Sequence, residues 1–409
     1  MNDMSYYITI LFLLLTLFLT RRIDKCLIHP ITLTSSLWLF LLIGYNVIDH
    51  GLYPLSDKFY YALMAWIIPF QIACLSMSNK YVRVRRLHLA HSATPLITNR
   101  YVILFISICL IISLVMSYQR AIVFDPSNFY SAWRELSVAV KRNEEAPLSG
   151  LHLNTFRVAQ MGYMFCLIYL LRDERFKYKR LFFLLVFAFI VMGADKGSIL
   201  RFFIGYIGVL CFRNKLNVRI LLYSLSLICL VVYAIQFFRG DSEGIDIFDL
   251  IYIYIFSPLP AFDNYILHSQ VDLTTYFHGD LVFKNFPLVG RIFANNYNTV
   301  DVNYFNYEMV HVPLPTNVYT MMAGYWVGWK WLGLIVGGLF HGCFWGYVYN
   351  RSRKSEAYKV LYVSILNVLV FYFFHDFLLE HIGFHLLLIF ILFFILYNPM
   401  FKYLILRIK

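Results

Sequence analysis

Charge is scarce in this chain. Only 14% of its 409 residues are charged, against 60% hydrophobic and 19% aromatic. A water-soluble fold of this size cannot hide that much apolar surface, so a soluble domain is excluded. The net charge of +12 does not form a basic face. Its cations lie in short segments between apolar runs, which speaks against nucleic acid as a partner. None of the seven cysteines (Cys26, Cys74, Cys109, Cys166, Cys211, Cys229 and Cys343) lies in either long polar segment. That spacing argues against a disulfide framework and a cysteine metal site. The chain has no Walker, G-x-S-x-G or HExxH motif, no internal repeat and no low-complexity tract. Basic residues follow the first apolar run instead of preceding it, so this run reads as an anchor with an outward N-terminus and not as a signal peptide.

What remains is a series of apolar runs near the length that crosses a bilayer. The runs are 5–20, 31–48, 58–77, 101–118, 154–171, 181–192, 199–212, 220–238, the helix after Pro315, 360–374 and 382–399. The expected fold is therefore all-α: a polytopic integral membrane protein of about 11 transmembrane helices, forming a single membrane domain over residues 1–409. Most of the 35 lysines and arginines fall in the segments on one side, such as Arg21, Arg22 and Lys25, or Arg351, Arg353 and Lys354. That bias puts these segments in the cytoplasm and makes the chain an inner-membrane protein. Two long loops, 119–153 and 239–315, then face outward, into the periplasm. Ile251 to Phe256 is too short to span, and with its neighbours it reads as a re-entrant or interfacial helix.

The stretch from Thr316 to Asn350 anchors this layout. Pro315 interrupts the preceding chain, and Thr316 and Asn317 offer N-cap side chains, so a helix is expected to start there. Such a start would aim free N–H groups at the large loop, as an anion site. Gly338, Gly342 and Gly346 recur every fourth residue, as do Gly333 and Gly337. Faces of that kind let a second helix approach closely in lipid.

Candidate chemistry rests on isolated cations at the outer ends of spans. The larger loop holds nine acids and only three bases, Arg239, Lys284 and Arg291. Arg239 is either a snorkelling residue paired with Asp241 or a phosphate clamp, since the guanidinium fork fits phosphate bidentately. Arg291, on a turn with Pro287 and Gly290, has the same two readings. In the turn Gly193 to Ser198, Lys196 pairs with Asp195 or joins Arg201 in cradling an anion. An arginine placed like Arg201, one turn into a span, marks function by its cost. Arg157 tops another span. Glu308 and His311 precede the Val312-Pro313-Leu314-Pro315 segment, where either can accept a proton from a hydroxyl or simply be solvated. His341, mid-span, reads as an interhelical hydrogen bond. His375, Asp376, Glu380, His381 and His385 gather at the last outer turn without metal-ligand spacing. No Asp-x-Asp pair for a metal–diphosphate site occurs in the outward loops.

Together these features resemble the Wzy-type O-antigen polymerases, the oligosaccharide repeat unit polymerases. The likeness is carried by the many-spanning layout, the two enlarged loops, the Gly193-Ala194-Asp195-Lys196-Gly197-Ser198 turn with Arg201, and Pro315-Thr316-Asn317-Val318-Tyr319-Thr320 leading to Gly324-Tyr325-Trp326-Val327-Gly328 and Gly333. Where family members often carry an acid in that last step, this chain has none. The resemblance implies a GT-C-like membrane glycosyltransferase. It would transfer a growing glycan from undecaprenyl diphosphate to the next lipid-linked repeat unit, at the periplasmic face. No cofactor is implied, and the cations with no metal motif fit a metal-independent reaction. Membrane lipids and a chain-length regulator are further implied partners. An O-antigen ligase and a repeat-unit flippase are the rival readings.

Topology reporters check this arrangement directly. Fusions after Asn143 and Asn298 are expected to report a periplasmic position and a fusion after Lys177 a cytoplasmic one; a cytoplasmic signal at Asn298 overturns the arrangement.

Overall fold

The computed structural model describes residues 4–48, 51–82, 100–126, 149–172, 178–192, 196–217, 255–268, 310–313, 315–316 and 318–397, with scattered positions between 129 and 136 and between 219 and 230. Helix dominates throughout. In order the elements are α1 (Met4–Ile23), α2 (Pro30–Val47), α3 (Asp57–Val82), α4 (Arg100–Phe124), α5 (Gly150–Gln160), α6 (Gly162–Arg172), α7 (Lys179–Met192) and α8 (Lys196–Phe212). Then follow α9 (Pro258–His268), β1 (Val310–His311), β2 (Pro315–Thr316), α10 (Met322–Ser352), α11 (Glu356–Val370), α12 (Phe377–Glu380) and α13 (Ile382–Phe390). The two short strands pair antiparallel, Val310 opposite Thr316.

Among the described residues, six helices are long and apolar enough to cross a membrane: Met4–Ile23, Pro30–Val47, Asp57–Met77, Val102–Phe124, Trp329–Ser352 and Glu356–Phe373. Gly197–Phe212 and Ile382–Phe394 are apolar but shorter. The expected span over 154–171 is divided between α5 and α6 at Met161. The expected span over 220–238 lies largely outside the described residues. α1 exposes Tyr7, Ile8, Leu11, Leu14, Leu15 and Phe18, a greasy stripe suited to lipid.

The chain divides into two compact units. One comprises Met1–Leu89, Asp246–Lys359 and Val368–Leu387; the other comprises Ala90–Ile245, Val360–Asn367 and Leu388–Lys409. In the second unit, Ser117 and the buried His152 link α4 to α5 at 3.0 Å, and Tyr163 donates to the Ser364 carbonyl at 3.1 Å.

The first unit is built on α3 and α10. A Cβ added at Gly338, Gly342 or Gly346 would meet the backbone oxygen of Trp66, Phe70 or Cys74 respectively, at 2.7 Å for the last pair. Glycine every fourth residue on one helix therefore faces carbonyls every fourth residue on the other, and the backbones touch. Polar links fix the remaining helices. Gln71 of α3 donates to Ser35 of α2 at 3.1 Å and to Thr16 of α1 at 3.4 Å. Past the end of α1, Asp24 accepts from Tyr349 at 2.9 Å and pairs with Arg353 at 3.2 Å. Burial drives the His29 imidazole down to about 4, so it is neutral and its Nδ1 accepts the Ile31 N–H at the start of α2.

α10 is broken near its start. Trp329 leaves helical geometry, and Lys330 adopts φ 51° and ψ −128°. Positive φ is strained for a side chain with a Cβ. The break reverses the chain. Tyr325 and Gly333 would lie about 12 Å apart along a continuous helix, yet a Cβ at Gly333 would meet the Tyr325 carbonyl, and one at Gly337 would lie 2.7 Å from the Tyr325 ring. The segment Met322–Gly328 thus folds back on the helix that follows it.

Replacing Gly342 by Ala or Leu should drive a side chain into the Phe70 carbonyl. A loss of about 1–3 kcal/mol is expected, larger for Leu, seen as a lower thermal midpoint in detergent. Gly383→Ala, where nothing lies within 4 Å, is the matched control and should leave the midpoint unchanged.

Candidate functional site

The fold-back brings a chain of polar groups together inside the first unit. His341 of α10 is fully buried. Its Nδ1 lies 2.7 Å from the Tyr372 hydroxyl, and its Nε2 lies 2.8 Å from the Tyr325 hydroxyl. Trp345 donates its indole N–H to Tyr372, and Tyr325 donates to Asp376 Oδ2 at 3.2 Å. His341 Nε2 is itself 3.5 Å from Asp376 Oδ2. One proton arrangement satisfies all these contacts. Trp345 donates to Tyr372, Tyr372 donates to Nδ1, the Nε2–H donates to Tyr325, and Tyr325 donates to the carboxylate.

Asp376 ends that chain. It also N-caps α12, its Oδ1 accepting from the N–H groups of Leu378 and Leu379 at 3.1 and 3.3 Å. Burial pushes its carboxyl upward, but the neighbouring His341, the Leu379 N–H and His375 together hold it below the ordinary carboxylate range. The Trp66 ring packs on Tyr325 and His341 with centroids 5.0 and 5.3 Å away. The mid-span His341 does make the expected interhelical hydrogen bond, to Tyr372. Its link to Asp376 was not legible.

A second polar node joins α9 to the hairpin β1–β2. Ser257 donates to Thr316 at 3.0 Å, and Asp263 accepts from the Ser56 N–H and hydroxyl at 2.7 and 2.5 Å. Burial raises the Asp263 carboxyl despite those two bonds. α9, with 11 residues, is too short to span.

The sequence candidates are placed as follows. Thr316 is buried in β2, where its hydroxyl accepts from Ser257 and from the Val318 N–H. It does not cap a helix. The helix begins at Met322 with no side-chain cap bond, and the Met321 N–H is taken by the Tyr372 carbonyl. The expected ring of free N–H groups at Thr316 is therefore corrected, because strand pairing and the Ser257 hydroxyl claim that residue first. His311 is exposed on β1, opposite Pro315, so the hairpin brings His311 and Thr316 together. Arg157 is exposed near the end of α5. Arg201 is half-buried in α8, its guanidinium 5.8 Å from the centre of the Tyr163 ring. Lys196 opens α8, but its side chain lies outside the described residues, as do Glu308, Arg239, Arg291 and Asn317.

Around α12 Asp376 turns to Tyr325 and His341, while His385 donates to the Phe377 carbonyl at 3.1 Å and His381 stacks on the Phe377 ring. Among the described residues no cluster of His, Cys, Asp or Glu is arranged to hold a metal. Lys330, missed by the reading of loop cations, sits at the break in α10 with its ammonium 5.4 Å from the Trp326 ring.

Fold and site together define a multi-pass helical membrane protein with a buried polar chain against the turn that leads into α12. The chain is 24% identical over 362 residues to the "O-antigen polymerase" of Shigella dysenteriae, covering 87% of this chain and 88% of that relative. It is 23% identical over 393 residues to the "Putative O-antigen polymerase" of Escherichia coli (strain K12), covering 92% and 94%. No family model matches, and neither does any solved structure. The resemblance read from the motifs thus extends along nearly the whole chain and supports the O-antigen polymerase family.

Proposed function

We propose that this protein polymerises undecaprenyl-diphosphate-linked oligosaccharide repeat units into O-antigen at the periplasmic face of the bacterial inner membrane. The observation that carries this reading is similarity to two O-antigen polymerases along roughly nine-tenths of the chain. In this reading the protein is a GT-C-like glycosyltransferase of about 11 spans, one membrane domain with periplasmic loops 119–153 and 239–315. It works with membrane lipids around it and a chain-length regulator as partner.

The donor's leaving group is a diphosphate, already a good one. The protein's task is to hold that anion and to orient a sugar hydroxyl. The cations Arg157, Lys196, Arg201, Arg239 and Arg291 are assigned to the diphosphate, with Thr316 and Asn317 on the glycan. Glu308 and His311 are the loop groups assigned to the acceptor hydroxyl. The half-burial of Arg201 favours it over the exposed Arg157 as a phosphate ligand, because an ion pair gains strength as water is excluded. The reaction is assigned as metal-independent.

The test is the lipopolysaccharide banding pattern of a deletion strain complemented with variants. Loss of the protein should leave core plus one repeat, whereas bare core with polymer stranded on carrier would show a ligase instead. Arg201→Ala should lower polymerisation about 10²–10³-fold at normal protein level, with incomplete rescue by Lys, which lacks the fork. Arg120→Ala should keep a normal ladder. Purified protein is expected to polymerise in EDTA; rescue of a dead reaction by Mg²⁺ or Mn²⁺ would overturn the metal-free assignment.

A further inference from the structure

The polymerase reading leaves one group unused: the carboxylate at the end of the buried hydrogen-bond chain. We propose that Asp376, in place of the loop groups Glu308 and His311, is the proton acceptor of the glycosyl transfer, aimed by the Tyr325–His341–Tyr372 chain behind it; this assignment rests on the polymerase reading.

Three observations carry it. First, the donors run in one direction. Trp345, Tyr372, His341 and Tyr325 form a single file whose final acceptor is Asp376. A donor chain that ends on a carboxylate places a negative charge in a poorly solvated setting. A carboxylate kept in such a setting, despite the cost of burying its charge, is a candidate functional group.

Second, the carboxylate is reachable. Tyr325, Leu378 and Leu379 donate to it, and His341 Nε2 lies 3.5 Å from Oδ2. Its side chain is 16% exposed while His341 is fully covered, so the outer turn presents the carboxylate and hides the imidazole.

Third, the geometry is rigid. Asp376 is fixed by its cap on α12. Tyr325 is fixed by the fold-back of α10 and by the face of Trp66. A base must be held within hydrogen-bond reach of its proton, and such fixing supplies that. Among the described residues, the titratable groups facing Asp376 are Tyr325 and His341 of α10, Tyr372, and its chain neighbour His375.

The step balances as follows. The acceptor hydroxyl oxygen bonds to the anomeric carbon of the donor glycan. The bond from that carbon to the diphosphate oxygen breaks, and the lipid diphosphate leaves with the electron pair. The hydroxyl proton passes to an oxygen of Asp376, which becomes the carboxylic acid.

The experiment uses the full-length protein in detergent or nanodiscs with lipid-linked repeat units, measuring turnover against pH. Wild-type protein should polymerise; failure to do so overturns the polymerase reading and this assignment with it. With wild type active, Asp376→Asn keeps an oxygen for the α12 cap, turns its amide NH2 toward Tyr325 and cannot take a proton. It should lower turnover about 10²-fold or more at unchanged protein level, with partial recovery in Asp376→Glu. Near wild-type turnover in Asp376→Asn overturns the proposal while leaving the polymerase reading standing.

Tyr325→Phe supplies the readout that a structural role leaves unmoved. It removes a donor that stabilises the ionised carboxylate, so the carboxyl holds its proton more tightly. The acid limb of the pH profile should shift to higher pH. A slower enzyme with an unmoved acid limb makes Asp376 a structural cap only and overturns the proposal. This arm decides the matter where Asp376→Asn fails to accumulate.

Discussion

The contact between the backbones of α3 and α10 is the constraint on which the first unit depends. In lipid there is no hydrophobic drive between helices, so association rests on close packing and polar links. Gly338, Gly342 and Gly346 let α10 settle onto the carbonyls of Trp66, Phe70 and Cys74. That approach sets the Trp66 ring against both Tyr325 and His341. Without it the fold-back of α10 would have nothing to lie on, and the chain from Trp345 to Asp376 would not close.

The polar groups follow a second constraint. Where water is absent, each buried donor needs an acceptor within the protein. Gln71, Ser35 and Thr16 meet that need among α1, α2 and α3, and Asp24 meets it for Tyr349 while also pairing with the exposed Arg353. His341 meets it with both ring nitrogens. The charged members are the Asp24–Arg353 pair and the carboxylate of Asp376, which lies where the chain emerges at a turn.

Much of the helical layout could be read beforehand, because a bilayer imposes length and apolarity on each crossing residue by residue. The four-residue glycine spacing was equally plain, since neighbours on one helix face recur at that interval. The start of α10 was misread. Pro315 and Thr316 carry the local signals of a helix cap, but Thr316 is claimed by Ser257 and by pairing with Val310. The break at Lys330 left no mark either, because lysine has no preference for positive φ and the strain is imposed by packing.

The amino-acid sequence by itself determined that this chain has several helices apolar enough to cross a membrane, and where two helices can touch. Each of these is a property of composition or of spacing along a single helix. Only the tertiary structure decided that Tyr325, His341, Tyr372 and Asp376 meet. Asp376 and Tyr325 are 51 positions apart along the chain, and no local pattern encodes a contact made by a chain reversal at one residue and a turn beyond the next span. The candidate cations of the loops were chosen by residue type alone. Side chains become a site through distance and enclosure, and those belong to the fold.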